Sequence, residues 1–508
     1  MSRLFKNIIY NFFGQGLLVF LGFISVKYIY KQLGKDVLGI IFFTAMVNTI
    51  ITSVSQMGIT STIVREISAH HKSEPEYIHG LIRTSTLFFW SIYVILAIII
   101  YFFSPYIAVK WINLQTLDKH TAIFMLRVLG IASVIALPKS LYISLFRGLQ
   151  RMEFNNAIEV ITTGLQQLGV ILILAYSNNI KVVVYWYSSC YFIRILIYIQ
   201  YSSRFFPTKA LSPWFSLDVI KRNFFFTSRM MLSTIISISY MQVDKIIISK
   251  IMPISSLGYY SLVYNTTVKA RMITGAVAQA VYPSFSSLHK SKDRHNDLMR
   301  QYHKLQDLIC FGMVPVYCLI IFAFLPVFSY ILNQEIAKML LLPLTILCVG
   351  AYMQTAGIIP HFFSLAVGKP EIPMRINLCV FIFNLPITFV LIYKYGLVGA
   401  ALSLFTSRII SWFYGVPKIC KKCLKIPTME WYRHIIRIVI LAGLTYGISW
   451  AVIGVNGSYS ILNLSTAFII STFVFILGAF FMIGLELRMT INRYFQYLIT
   501  YKVKANPK

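Results

Sequence analysis

The chain has 508 residues, 57% of them hydrophobic and 12% charged, with a mean hydropathy of +0.71 and a formal net charge of +30. Soluble domains carry about 25% charged residues, so an ordinary soluble enzyme or binding module is excluded and an all-α polytopic membrane protein is expected. The positive excess would point to nucleic acid in a soluble chain; here the basic residues sit in short loops between apolar spans, and no nucleic-acid partner is expected.

Hydropathy predicts about fourteen transmembrane helices, each near the roughly 20 residues that cross a bilayer. The first, 8–28, reads as a retained helix, not a cleaved signal peptide, because it lacks a small-residue cleavage site. It carries Asn11, Gln15, Gly22 and Ser25 on one helical face. The second, 38–58, carries Asn48, Thr52 and Ser55 in the same manner. Four more follow at 81–103, 122–146, 157–176 and 180–201, and the loop 59–80 reads as a solvated, histidine-bearing hairpin.

The seventh and eighth spans, 224–249 and 257–281, hold Arg229, Asp244, Lys245, Lys269 and Arg271. A charge at mid-membrane costs about 2.5–3.5 kcal/mol on insertion scales, so five in two helices predict a polar interior that is used. Arg229, Ser233, Ser237, Tyr240 and Asp244 fall on one face of the seventh span. At 1.5 Å per residue that stripe runs roughly 22 Å, most of the hydrocarbon thickness. In the eighth span Ser261, Asn265 and Lys269 share a face, with Arg271 about 200° round from Lys269. Asp244 reads either as an ion-pair partner of a neighbouring base or as a coupling group. The remaining spans are placed at 305–325, 339–363, 375–393, 397–417, 434–453 and 462–485.

Of the 46 Lys and Arg residues, 27 fall in the N-terminus, the tail and the loops on one side, 8 fall in the opposite loops, and the rest lie within spans. The positive-inside rule then places both termini in the cytoplasm. Repeats are also visible. Gly39 matches Gly258, Pro105 matches Pro326, Pro138 matches Pro360 and Asn156 matches Asn377, all at offsets near 220. An offset that spans six helices gives two parallel repeats related by an axis along the membrane normal, with a substrate site between them. The expected organisation is an N-lobe at 1–204, a cytoplasmic linker at 205–223, a C-lobe at 224–417, a basic loop at 418–433, two further helices at 434–485 and a cytoplasmic tail at 486–508. Together these form a bilobed bundle plus two C-terminal helices.

Signals for enzymatic chemistry are sparse. There is no G-x-x-x-x-G-K-[ST], and the histidines and Cys420-x-x-Cys423 match no zinc spacing, so no cofactor and no metal are expected. Seven scattered cysteines give no disulfide framework. A glycan polymerase or ligase would need catalytic groups in outer loops, and the longest such loop, 104–121, offers Lys110, Asp118, Lys119 and His120. The intramembrane charges are basic apart from Glu159 and Asp244. A cationic interior attracts anions, and Lys and Arg suit phosphate oxygens.

Three stretches then carry a resemblance: LGKDVLGIIFF after the first span, LGYYSLVYNTT at the eighth and YGLVGAALSLFTSR at the twelfth. They resemble the polysaccharide transporter family of the multidrug/oligosaccharidyl-lipid/polysaccharide exporter superfamily, and within it the O-antigen flippases. The resemblance implies alternating access in a bacterial inner membrane, with an undecaprenyl-pyrophosphate-linked oligosaccharide moved from the cytoplasmic to the outer leaflet. On that reading Lys269, Arg271 and Arg229 hold phosphates near Asn265. Asn11, Gln15, Ser25, Asn48, Thr52, Ser233, Ser237 and Tyr240 line the cavity. The implied partners are the lipid-linked oligosaccharide, membrane lipids, and the polymerase and glycosyltransferases of the same pathway. A cation-coupled multidrug exporter of the same superfamily is the alternative; it would call for carboxylates where this chain has bases.

Overall fold

Among the described residues the chain is helical almost throughout, and its one departure toward strand is an isolated bridge between Asn113 and Pro253. The computed structural model describes residues 3–55, 58–290, 295–369, 371–455, 459–484 and 487–489. The chain divides into two compact units, 1–261 and 262–508.

The first unit contains α1 (Arg3–Tyr28), α2 (Lys35–Ser55), α3 (Ile59–His70), α4 (Pro75–Tyr106), α5 (Lys119–Val134), α6 (Ala136–Gly148), α7 (Met152–Tyr176), α8 (Ile180–Ser202), the single turn α9 (Thr208–Leu211) and α10 (Leu217–Ile251). The helix α11 (Ile254–Lys290) begins in this unit and continues into the second. The second unit then holds α12 (His295–Ile331), α13 (Gln334–Ala356), α14 (Ile358–Ala366), α15 (Glu371–Ile419), α16 (Thr428–Ala442), α17 (Ile448–Val455) and α18 (Ile461–Met482).

Eleven helices among the described residues are long and apolar enough to cross a membrane, against about fourteen expected. Part of the difference is a merged pair. The stretch Glu371–Leu424 counts once, yet Gly396, at φ 55 and ψ −127, breaks the helix between the expected spans 375–393 and 397–417. Only glycine takes that backbone region without a Cβ clash. The charged helices α10 and α11, 35 and 37 residues long, are outside the eleven.

Large apolar side chains cover the outward faces: Phe102, Leu196, Phe413 and Phe481 are 71%, 63%, 76% and 77% exposed. In water such a surface would aggregate; around a bundle whose backbone groups are satisfied inside helices it is the lipid-facing surface. Helix starts are set locally, since Asp118, Asn333 and Ser460 accept the amides of Thr121, Ile336 and Asn463.

Two features of the first unit differ from the sequence expectation or add to it. The stretch 59–70 is helix α3, not a solvated hairpin: it buries Thr62, Ile63, Glu66 and Ile67. Its apolar residues recur with helical spacing, and Gly58, at φ 71, makes the turn into it. Buried Glu66 holds Arg65 (2.5 Å), His70 (3.3 Å) and the Tyr77 hydroxyl (3.2 Å), and Asn223 of α10 donates to Tyr77 at 2.8 Å. Arg222 meets Glu74 at 2.7 Å, and that hydrogen bond holds the exposed Glu74 carboxyl below its ordinary range.

At the opposite end, Asp36 is 1% exposed, and one of its oxygens accepts the backbone N–H groups of Gln115, Thr116 and Leu117 at 2.7, 2.6 and 3.1 Å. Nearby, Ile254 N–H donates to Asn113 O at 3.0 Å, Trp111 Nε1 to Ser249 at 3.0 Å and Lys250 Nζ to Lys110 O at 2.6 Å. Here α2 crosses the start of α11 at Gly39 and Gly258. A Cβ on Gly39 would lie 2.3 Å from Ile254 O, and one on Gly258 would lie 3.2 Å from Gly39 Cα.

Candidate functional site

The eighth predicted span lies within α11, and its polar groups divide by face. Asn265 and Lys269 are one turn apart and exposed. Arg271 turns instead toward α13 and α15. Its guanidinium donates to the Gln354 carboxamide oxygen, and its main-chain carbonyl accepts the Thr274 hydroxyl at 2.8 Å. Tyr264, Thr267 and Arg271 of α11, Gly350 and Gln354 of α13, and Phe405 and Arg408 of α15 line a cleft of about 30 Å³. The charged residues that line it are Arg271 and Arg408, both cationic. Gly350 packs on the Phe405 backbone, which lets α13 and α15 close beside the two arginines. A volume of this size admits water, since one water needs at least ~10–15 Å³ of such space, and is too small for a sugar phosphate.

The structure therefore places Arg271 and Lys269 in different surroundings. Gln354 and Arg408 complete the arginine cleft, and sequence reasoning did not connect them to it. Arg408 was visible as an intramembrane base at the end of YGLVGAALSLFTSR, whereas Gln354 carries no charge and gave no signal.

The other predicted cavity residues fall as follows. Gln15 is exposed and Ser25 is buried, with the Tyr187 hydroxyl hydrogen-bonded to it. Asn48 is half-buried. Thr52 is buried, and its hydroxyl donates back to Asn48 O at 2.6 Å, within its own helix. A hydroxyl used in this way satisfies itself in an apolar setting and is not offered to a ligand. Asp244 is 2% exposed; it accepts the Tyr260 hydroxyl at 2.7 Å and lies 4.0 Å from Lys245 Nζ. It thus pins α10 to the first turns of α11. The side chains of Asn11, Arg229, Ser233, Ser237 and Tyr240 lie outside the described residues.

A second polar centre lies in the first unit. Glu159 of α7 accepts Lys139 Nζ at 2.9 Å and the Tyr198 hydroxyl at 3.2 Å, and lies 3.8 Å from Arg194. Arg194 also donates to Thr162 at 2.8 Å and to Gln166 at 3.1 Å. Two bases on one acid leave a net positive charge, with every partner on α6, α7 or α8. Among the described residues, no group of three His, Cys, Asp or Glu side chains is placed to hold a metal ion. All seven cysteines are free, with Cys420 and Cys423 buried.

Comparison with known proteins agrees with this architecture. Residues 4–289 match the family model described as polysaccharide biosynthesis protein. A curated relative from Shigella flexneri, named "Putative O-antigen transporter", is 23% identical over 414 residues, which span 80% of this chain and 97% of the relative. Among solved structures, lipid II flippase MurJ in an inward closed conformation superposes with a TM-score of 0.72 at 14% identity, covering 95% of this chain and 100% of that one. An inward-facing MATE-family multidrug resistance transporter of the MOP superfamily gives 0.64 at 14% identity, over 80% and 95% of the two chains. The chain thus has the fold of these solved MurJ and MATE structures, with eleven helices among the described residues long and apolar enough to cross a membrane, and it belongs to the polysaccharide biosynthesis protein family.

Proposed function

We propose that the chain is a flippase for a lipid-linked oligosaccharide of the O-antigen type, carrying an undecaprenyl-pyrophosphate head with its glycan across the inner membrane by alternating access. The observation that carries this reading is the arginine cleft: its charged lining is Arg271 and Arg408, and no lining residue is acidic. Two guanidinium groups suit the oxygens of a pyrophosphate. A cation exporter would need the opposite sign. The name of the Shigella relative and the lipid II flippase fold support the same substrate class.

At about 30 Å³ the cleft does not hold the head group as it stands. The Gln354 oxygen occupies the acceptor position on Arg271 that a phosphate oxygen would take. Binding then exchanges a neutral acceptor for a charged one, and charge-assisted hydrogen bonds are roughly twice as strong as neutral ones. Lys269 and Asn265, exposed on the same helix, and Arg229 are assigned to the remaining phosphate and sugar contacts. The proposed moving bodies are the repeats at 1–204 and 224–417, with both termini in the cytoplasm.

The test is complementation of a strain that lacks its own flippase, read as surface glycan per cell at matched membrane abundance. Lys269→Ala with Arg271→Ala should abolish display, Arg271→Lys should retain part of it, and Gln354→Ala should not reduce it. Normal display by the double alanine variant would refute the phosphate assignment.

A further inference from the structure

A cavity of about 610 Å³ opens in the second unit where α12 and α16 begin and α18 ends. That volume lies within the roughly 300–1,000 Å³ typical of small-molecule sites. The cavity belongs to the same end of the unit as Lys421, Lys422 and Lys425, which precede α16. Its wall includes Tyr302 and Trp431, 1% and 3% exposed.

The wall carries two acids, Asp307 and Glu430, and two arginines, Arg433 and Arg437, and among the described residues these acids and arginines are not paired with one another. Both oxygens of the buried Asp307 are engaged: one accepts Gly484 N–H at 2.8 Å, and the other lies 3.1 Å from His434 Nε2. Arg433 and Arg437 line the cavity one helical turn apart and are exposed. Among the described residues neither has a carboxylate within ion-pair distance. Glu430 is the remaining acid on the wall. Gln306 is 3% exposed; its amide donates to Ala356 O at 2.9 Å, while its carbonyl oxygen is buried without a hydrogen-bond partner among the described residues. Beside the arginines, Met429, Ile436 and Ile440 are 65%, 53% and 55% exposed along α16.

These groups call for one kind of molecule. Paired arginines call for a phosphate, the idle Gln306 oxygen calls for a hydroxyl donor, and the apolar strip beyond them calls for hydrocarbon. Basic pockets between membrane helices on the basic face bind anionic lipid head groups. We propose that this cavity binds an anionic glycerophospholipid with a hydroxyl-bearing head group. The phosphodiester would rest on Arg433 and Arg437, the head-group hydroxyl on Gln306, and the acyl chains along Ile436 and Ile440. The site is separate from the arginine cleft, and its existence does not depend on which substrate the protein moves.

Native mass spectrometry of the full-length protein in detergent tests the proposal. The probes are dioleoylphosphatidylglycerol, dioleoylphosphatidylcholine, dioleoylphosphatidic acid and glycerol 1-phosphate. One phosphatidylglycerol per chain should be retained at least tenfold more tightly than phosphatidylcholine. Arg433→Gln with Arg437→Gln should remove that preference, and the corresponding double lysine variant should keep part of it. Gln306→Leu should weaken phosphatidylglycerol more than phosphatidic acid, which lacks the head-group hydroxyl. Both arginines are exposed, so the double variant should melt at the wild-type temperature without lipid. An unchanged lipid preference in that variant would overturn the proposal. Displacement of the lipid by equimolar glycerol 1-phosphate would overturn the lipid assignment and leave a site for soluble anions.

Discussion

The clasp at Asp36 makes a quantitative prediction. One carboxylate oxygen accepts three successive backbone amides, Gln115, Thr116 and Leu117, at 2.6–3.1 Å. Asp36→Asn keeps an acceptor oxygen and removes the charge. A hydrogen bond to a charged acceptor contributes about 1.5–3 kcal/mol, against about 0.5–1.5 for a neutral pair, so each amide should lose about 1 kcal/mol of protection. Asp36→Ala removes the acceptor. Gln115 and Thr116 are exposed residues, so water replaces the carboxylate in part, and the cost per amide should sit near the lower end of the about 1–3 kcal/mol for an unsatisfied donor. At 1.4 kcal/mol per factor of ten, hydrogen exchange across 112–118 should quicken about fivefold in the asparagine variant and about five- to thirtyfold in the alanine variant. The measurement is exchange mass spectrometry at fixed pH, with α12 and α13 as internal references. Wild-type exchange at 115–117 in Asp36→Ala would show that the carboxylate does not hold the loop. Equal acceleration throughout the chain would show that it acts on global stability instead.

Two further predictions concern the first unit. Glu159→Gln leaves Lys139 and Arg194, 17% and 8% exposed, side by side without their acid. Breaking a buried pair costs about 3–5 kcal/mol; with Glu159 itself 33% exposed, about 2–3 is expected, visible as a lower melting temperature that Lys139→Met partly restores. An unaltered melting curve would refute this. At the helix crossing, Gly39→Ala brings a Cβ to 2.3 Å from Ile254 O and forces α2 and α11 apart. Overpacking of that kind costs about 1–3 kcal/mol, so thermal stability should fall, while Gly16→Ala, which meets nothing within 4 Å, should not lower it.

The helices were legible because membrane spans announce themselves as long apolar runs. Even the break at Gly396 was visible as a short gap between two such runs. Helix α3 was missed because its polar residues dominate a hydropathy average while its buried face follows helical spacing. At the candidate site the sequence identified Arg271 but not its partner. Arg271 and Gln354 are 83 positions apart, and no local pattern reports such a pairing. The Asp36 clasp was hidden for a different reason, since its partners are main-chain amides that any residue supplies. Thr52 shows the reverse error: polar by residue type and on the expected face, it spends its hydroxyl on its own helix. Glu159, Lys139 and Arg194 were each visible as intramembrane charges, but only packing of α6, α7 and α8 reveals that they are one group.

The crossing of α2 and α11 has one more implication. Gly39 and Gly258 lie at matching places in the expected sequence repeat, and they meet each other. In an isologous contact a residue touches its own copy only on the two-fold axis. If the two repeats descend from one duplicated six-helix unit, an ancestral homodimer of that unit would have placed this glycine against itself, so that one small residue, encoded once, relieved the clash on both sides. Fusion into a single chain would then have let the halves diverge while each glycine still makes room for the other.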